Sequence, residues 1–99
     1  MTEEDQPDIV LYTKSWCGFC LRAKSLLERR GLEYREIDVT FDRELEDEMI
    51  RLAGGRSTVP QIFVRGTHIG GSEELARLAA AGGLDDMLRH DDDRLEVQG

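Results

Sequence analysis

Ile9-Val10-Leu11-Tyr12-Thr13-Lys14-Ser15-Trp16-Cys17-Gly18-Phe19-Cys20 is the stretch on which the fold turns. Its first four residues form a continuous apolar run, the pattern of a central strand covered on both faces. Beyond the cysteines the period changes. Cys20, Ala23 and Leu27, with Leu26 beside them, make one apolar stripe at helical spacing, while Arg22, Glu28 and Arg29 face outward. Gly31 closes that helix as the glycine just past its last turn. Tyr34 to Val39 reads as a second strand, with Tyr34, Ile37 and Val39 as its apolar contacts. A strand, a helix and a strand in succession imply two parallel strands joined by a right-handed crossover.

The rest of the chain extends this unit. A second helix starts near Asp42, with Leu45, Met49, Leu52 and Ala53 at helical spacing, and Gly54-Gly55 stop it. Gln61-Ile62-Phe63-Val64, a turn at Arg65-Gly66-Thr67, and His68-Ile69-Gly70 predict a hairpin. Ser72 reads as the N-cap of a helix running to about Ala81, with Glu73 and Glu74 in its first turn. Gly82-Gly83 breaks it, and a last short helix carries Leu84, Met87 and Leu88. The order is β-α-β-α-β-β-α-α: an α/β fold with one mixed four-stranded sheet flanked by helices. In such sheets, sites form beyond the carboxyl ends of strands and at helix N-termini. Cys17 falls at that place.

With 99 residues the chain is long enough for one domain and a modest core, but not two. Residues 1–99 are read as a single domain with a globular core of about 8–90 and acidic tails at 1–7 and 91–99. The formal net charge of −8 disfavours nucleic-acid binding. No run approaches the ~20 apolar residues of a membrane span, and Met1-Thr2-Glu3-Glu4-Asp5 is acidic where a secretory signal would be basic. A small secreted domain stapled by disulfides would carry more than two cysteines. A reducing cytoplasm is therefore expected, where such a pair is catalytic, redox-sensing or metal-binding.

Three segments carry chemistry. Cys17 and Cys20 can close a small disulfide ring, and a helix start favours the charged form of Cys17, the species that attacks disulfides. A structural zinc site would need four ligands, and only His68 and His90 remain as further nitrogen donors; they read instead as a solvated turn residue and a cation at a helix end. Thr58-Val59-Pro60 leads into a strand. An X-Pro bond there can be cis, turning the Val59 backbone toward an extended peptide, or Pro60 can simply start the strand. Gly70-Gly71-Ser72-Glu73 opens a helix; the Ser72 and Glu73 N–H groups can bind a carboxylate, or the segment is plain capping.

Taken together, Tyr12-Thr13-Lys14, Cys17-Gly18-Phe19-Cys20, Thr58-Val59-Pro60-Gln61-Ile62-Phe63 and His68-Ile69-Gly70-Gly71 resemble a glutaredoxin of the bacterial dithiol type, over about Asp8 to Arg89. The resemblance implies a thioredoxin-like fold, glutathione as co-substrate and a cis Pro60. It implies Cys17 as nucleophile and Cys20 as resolving thiol. Lys14 and Arg56 would hold the glycyl carboxylate of glutathione, and Val59, between Thr58 and Pro60, would pair with its cysteinyl backbone. Gly71, Ser72 and Glu73 would receive its γ-glutamyl end. Phe19 and Trp16 would flank the reacting sulfur, though Trp16 also reads as an ordinary exposed aromatic.

Two features depart from the family's pattern: Gly18 replaces the usual proline between the cysteines, and Glu73 replaces the usual aspartate. The implied activity is reduction of glutathione mixed disulfides and protein disulfides by a monomer, with glutathionylated or disulfide-containing proteins as partners and no metal required. Gly18 keeps a rival open, a dimer carrying a [2Fe–2S] cluster on the two Cys17 sulfurs and two glutathiones. A redoxin served by thioredoxin reductase is the third reading.

Overall fold

The computed structural model describes residues 8–89, so the expectations for both acidic tails and for His90 lie outside the described residues. Its elements are β1 (Ile9–Thr13), α1 (Gly18–Arg29), β2 (Arg35–Asp38), α2 (Arg43–Leu52), β3 (Gln61–Val64), β4 (Thr67–Gly70) and α3 (Ser72–Ala80). A last helix, α4, spans 83–89. The sheet order is β2-β1-β3-β4. β1 runs parallel to β2, with Val10 opposite Arg35, and antiparallel to β3, with Leu11 opposite Ile62. β3 and β4 form the hairpin; its two-residue turn, Arg65-Gly66, has positive φ at both positions (51° and 86°), as type I′ turns require.

Strand alternation sorts the core into two layers. Ile9 and Leu11 of β1 and Ile62 and Val64 of β3 point to one face, where Ala23, Leu27, Leu75, Ala79 and Leu84 of α1, α3 and α4 cover them. Tyr12 and Phe63 point to the other face and pack with Val39 and with Met49 of α2. β1 is buried on both sides for this reason, which its continuous apolar run anticipated.

Local signals account for the helix ends. The Asp42 side chain accepts a hydrogen bond from Leu45 N–H at 3.0 Å and caps α2. Gly31, at φ 72°, occupies the left-handed position past α1, and its N–H bonds the Glu28 carbonyl. Two expectations shift. α3 begins at Ser72, with Gly71 rather than Ser72 as its N-cap, because Gly71 is extended (φ −101°, ψ −162°) and the Glu74 carboxylate reaches back to the Gly71 N–H at 2.7 Å. Leu52 is 47 % exposed; Leu45, Met49 and Ala53 lie four apart and form the seam, leaving Leu52 on its flank. No helix among the described residues is long and apolar enough to cross a membrane.

Candidate active site

Cys17 is the N-cap of α1, in extended conformation, and no side chain caps the helix in its place. The first turn holds no acidic residue, so nothing on the helix itself answers the unpaired N–H groups there. The loop delivering Cys17 is pinned at a distance: Ser15 N–H donates to Thr40 Oγ1 at 2.8 Å, and Thr40 N–H to Asp38 Oδ1 at 2.8 Å. Between them Trp16 takes a left-handed backbone (φ 60°) with its side chain 92 % exposed.

The two thiols are free and differ in environment. Cys17 is half-buried and its Sγ donates to the Val59 carbonyl across 3.6 Å. Cys20, one turn along α1, is only 2 % exposed. Burial chiefly pushes the Cys20 thiol up to about 12, against a smaller lowering by a backbone hydrogen bond from Lys14. Near neutrality Cys20 is therefore a thiol, held beside Cys17 but not ready to attack.

Val59 belongs to the loop that enters β3, and the Val59–Pro60 peptide bond is cis, as the family resemblance implied. This loop forms one wall of a groove of roughly 510 Å³ lined by Phe19, Arg56, Ser57, Thr58, Val59 and Pro60, with Gly71, Ser72, Glu73 and Glu74 opposite. Most of the residues singled out in the sequence, Phe19, Arg56, Thr58, Val59, Pro60, Gly71, Ser72 and Glu73, therefore meet along one surface. Ser72 and Glu73 stand in the first turn of α3, where N–H groups lack intrahelical acceptors. Gly70 must be glycine: its φ is 122°, and an added Cβ would lie 3.0 Å from the Glu74 carboxyl group.

Lys14 Nζ lies 2.7 Å from Glu46 Oε2 of α2. Lys14, Trp16, Cys17 and Cys20 are not among the residues lining the groove; Cys17 meets it through Val59. Arg56 does line it, and faces Glu74 Oε2 at 3.8 Å. Both cations expected to meet an anionic ligand thus have a carboxylate nearby. Arg22 sits over the Phe19 ring, 5.4 Å from its centroid.

Sequence reading missed several contributors. Glu46 and Ser57 gave no signal. Glu74 stood at the third helical position, where a carboxylate commonly returns to the cap. His68 is no solvated turn residue; it lies in β4, half-buried, with its ring 5.0 Å from Phe63 and its Nε2 2.7 Å from Gln61 Oε1. Burial, then the Arg56 charge, lowers its pKa below the ordinary imidazole value. Gln61, fully buried in a strand otherwise apolar, was the available hint, since a buried amide must be paired. Among the described residues no group of three or more His, Cys, Asp or Glu is arranged to hold a metal ion.

This arrangement can perform thiol chemistry: one accessible sulfur at a helix start, a second buried beneath it, and a peptide-sized groove alongside. The comparisons agree. The sequence model of the glutaredoxin family matches residues 9–69. A glutaredoxin from Pseudomonas aeruginosa is 46% identical over 82 residues, covering 83% of this chain and 96% of the relative. The solution structure of glutaredoxin from Brucella melitensis superimposes with a TM-score of 0.73 at 43% identity, covering 84% of this chain and 89% of that one. The crystal structure of a buckwheat glutaredoxin–glutathione complex superimposes with a TM-score of 0.76 at 29% identity, covering 85% and 78%.

Proposed function

The chain belongs to the glutaredoxin family, with its thioredoxin-like fold and thiol–disulfide oxidoreductase activity, and on that premise we propose that it uses glutathione to reduce glutathione mixed disulfides and some protein disulfides. The observation that carries this reading is the 3.6 Å approach of Cys17 Sγ to the Val59 carbonyl at the side of the groove. A peptide lying along Val59 in strand-like pairing has its own cysteine sulfur within reach of Cys17. The superimposable buckwheat glutaredoxin–glutathione complex supports the choice of peptide.

In the proposed reaction the Cys17 thiolate attacks the glutathione sulfur of a mixed disulfide. The old S–S bond breaks, the protein leaves as a thiolate and takes a proton from water, and glutathione stays joined to Cys17. A second glutathione thiolate then attacks the glutathione sulfur of that adduct, which forms glutathione disulfide and frees Cys17. Alternatively Cys20, after losing its proton, attacks Cys17 Sγ, expels glutathione and closes the Cys17–Cys20 disulfide, which two glutathiones reopen. Glutathione's γ-glutamyl carboxylate is assigned to the Ser72 and Glu73 N–H groups, beside Gly71. Its glycyl carboxylate is assigned to Arg56, with Lys14 available once it leaves Glu46. Thr58, Pro60 and Phe19 form the walls, and the enzyme works as a monomer in a reducing cytoplasm.

One observation favours a second reading, a dimer carrying a [2Fe–2S] cluster. A Cβ added at Gly18 would meet nothing within 4 Å, so the space beside Cys17 is open. With Cys20 buried, each chain offers one sulfur, and four ligands require two chains and two glutathiones. One experiment addresses both readings: turnover of a small glutathione mixed disulfide coupled to glutathione reductase, with spectra before and after anaerobic cluster reconstitution. The proposal expects turnover with glutathione and none when thioredoxin reductase replaces it. The opposite preference would overturn it, and a brown, dimeric, inactive reconstituted protein would favour the cluster.

A further inference from the structure

The Thr58–Val59 peptide, whose orientation decides whether a ligand can pair with Val59, is held from behind by two side chains outside the groove. Gln61 and Phe63 point to the same face of β3, and His68 stands opposite Phe63 on β4, diagonal to Gln61. Gln61 is 0 % exposed. Its Nε2 donates to the Thr58 carbonyl at 2.9 Å and to Thr58 Oγ1 at 3.2 Å, while its Oε1 meets His68 Nε2 at 2.7 Å.

The direction of this chain follows from the chemistry of its ends. A backbone carbonyl can only accept, so the Gln61 amide must turn its NH2 toward Thr58. Its oxygen then faces His68 and can only accept, so the proton on the neutral ring sits on Nε2. The relay therefore runs one way, from imidazole N–H to amide oxygen and from amide N–H to loop carbonyl. Neither Gln61 nor His68 lines the groove.

We propose that His68 and Gln61 are positioning residues for the peptide ligand: the imidazole fixes the Gln61 amide, which in turn fixes the Thr58–Val59 peptide against which the ligand's cysteinyl backbone aligns. The inference rests on the glutathione reading above and says which residues outside the groove give that site its shape. It makes His68 a donor whose loss is felt in ligand alignment, not in the reactivity of the Cys17 sulfur.

The test compares two disulfides that release the same chromophore: the mixed disulfide of glutathione with thiopyridine, and dithiodipyridine, which lacks the peptide. The wild-type chain is expected to react faster with the glutathionyl compound. Gln61→Met, near in size and unable to donate, is expected to slow that reaction about tenfold while changing the dithiodipyridine rate less than about twofold, the signature of one lost directed hydrogen bond. Gln61→Glu, which still accepts from His68 but turns an oxygen toward the Thr58 carbonyl, is expected to fail equally. His68→Gln, which keeps an N–H donor, is expected to retain more of the glutathionyl rate than His68→Leu.

Parallel slowing of both disulfides, or an unchanged preference in Gln61→Met, overturns the relay. Equal wild-type rates on the two disulfides instead sink the glutathione reading itself, so the two failures are distinguishable. NMR of the unmutated protein checks the relay without relying on variants that must fold. The ring carbon shifts of His68 should report the Nε2–H tautomer above its pKa, and the Nδ1–H tautomer would contradict the proposal.

Discussion

Cys17 and Cys20 are three residues apart and chemically unlike, because α1 turns one sulfur outward at its cap and the other into the core. That asymmetry supports the proposed order of action, and the placement of both sulfurs was legible in the sequence: a Cys at the helix start, and a Cys in register with Ala23 and Leu27. Lys14 was expected to meet the ligand's glycyl carboxylate; its ammonium instead pairs with Glu46, which gave no signal in the sequence. Glu46 lies 32 positions away on a helix whose azimuth no local pattern encodes. The 2.7 Å pair is partly solvated, with side chains 35 % and 24 % exposed, so its strength is that of a surface ion pair, about 0.2–1 kcal/mol. If Lys14 receives the ligand as proposed, an incoming carboxylate competes with Glu46 for that ammonium. Glu46→Gln is therefore expected to lower KM for the glutathione substrate by about 1.4- to 5-fold at low salt, with the gain shrinking as salt rises. Initial-rate kinetics at two ionic strengths check this; an unchanged KM would mean that Lys14 does not reach the ligand.

At the scale of elements, the start of α3 matters to the groove as the start of α1 does to Cys17. The first turn of α3 bears Ser72 and Glu73, and Glu74 ties it back to Gly71. The hydrogen bond from Gly71 is the chief reason that the Glu74 pKa lies below its usual 4.5, with Arg56 adding a smaller lowering. A carboxylate lowered on folding contributes stability that is complete above its ordinary value and lost as pH falls through the lowered one. Glu74→Ala should cost about 1 kcal/mol, a fall in Tm of about 4–8 °C for a domain of this size. Glu74→Gln keeps an acceptor for Gly71 but not the charge, so its Tm deficit at pH 7 should vanish on acidification below the lowered value. A deficit independent of pH would show that the charge contributes nothing. The cap itself was misread by one residue, since Ser72 has the better capping side chain while the backbone bend falls at Gly71.

For the whole molecule, periodicity carried most of the information. The apolar run of β1, the stripe of α1 and the hairpin punctuation were enough to predict the mixed four-stranded sheet and the place where Cys17 falls. What stayed hidden is what tertiary packing creates: the Lys14–Glu46 pair, the exposure of Leu52, and the burial of His68 against Phe63 and Gln61. The net charge of −8 adds a general point. An anionic peptide approaching this surface must find local cations, and Arg56 and Lys14 each have a carboxylate beside them. In the proposed mode of binding, recognition leans on the Val59 backbone and on the N–H groups of Ser72 and Glu73, whose use breaks no ion pair.

The proposed reaction requires Cys17 as the attacking sulfur, and paired serine variants test it most directly. Turnover of a small glutathione mixed disulfide, coupled to glutathione reductase, should be abolished in Cys17→Ser and largely kept in Cys20→Ser. Retained turnover in Cys17→Ser, or its loss in Cys20→Ser alone, would contradict it.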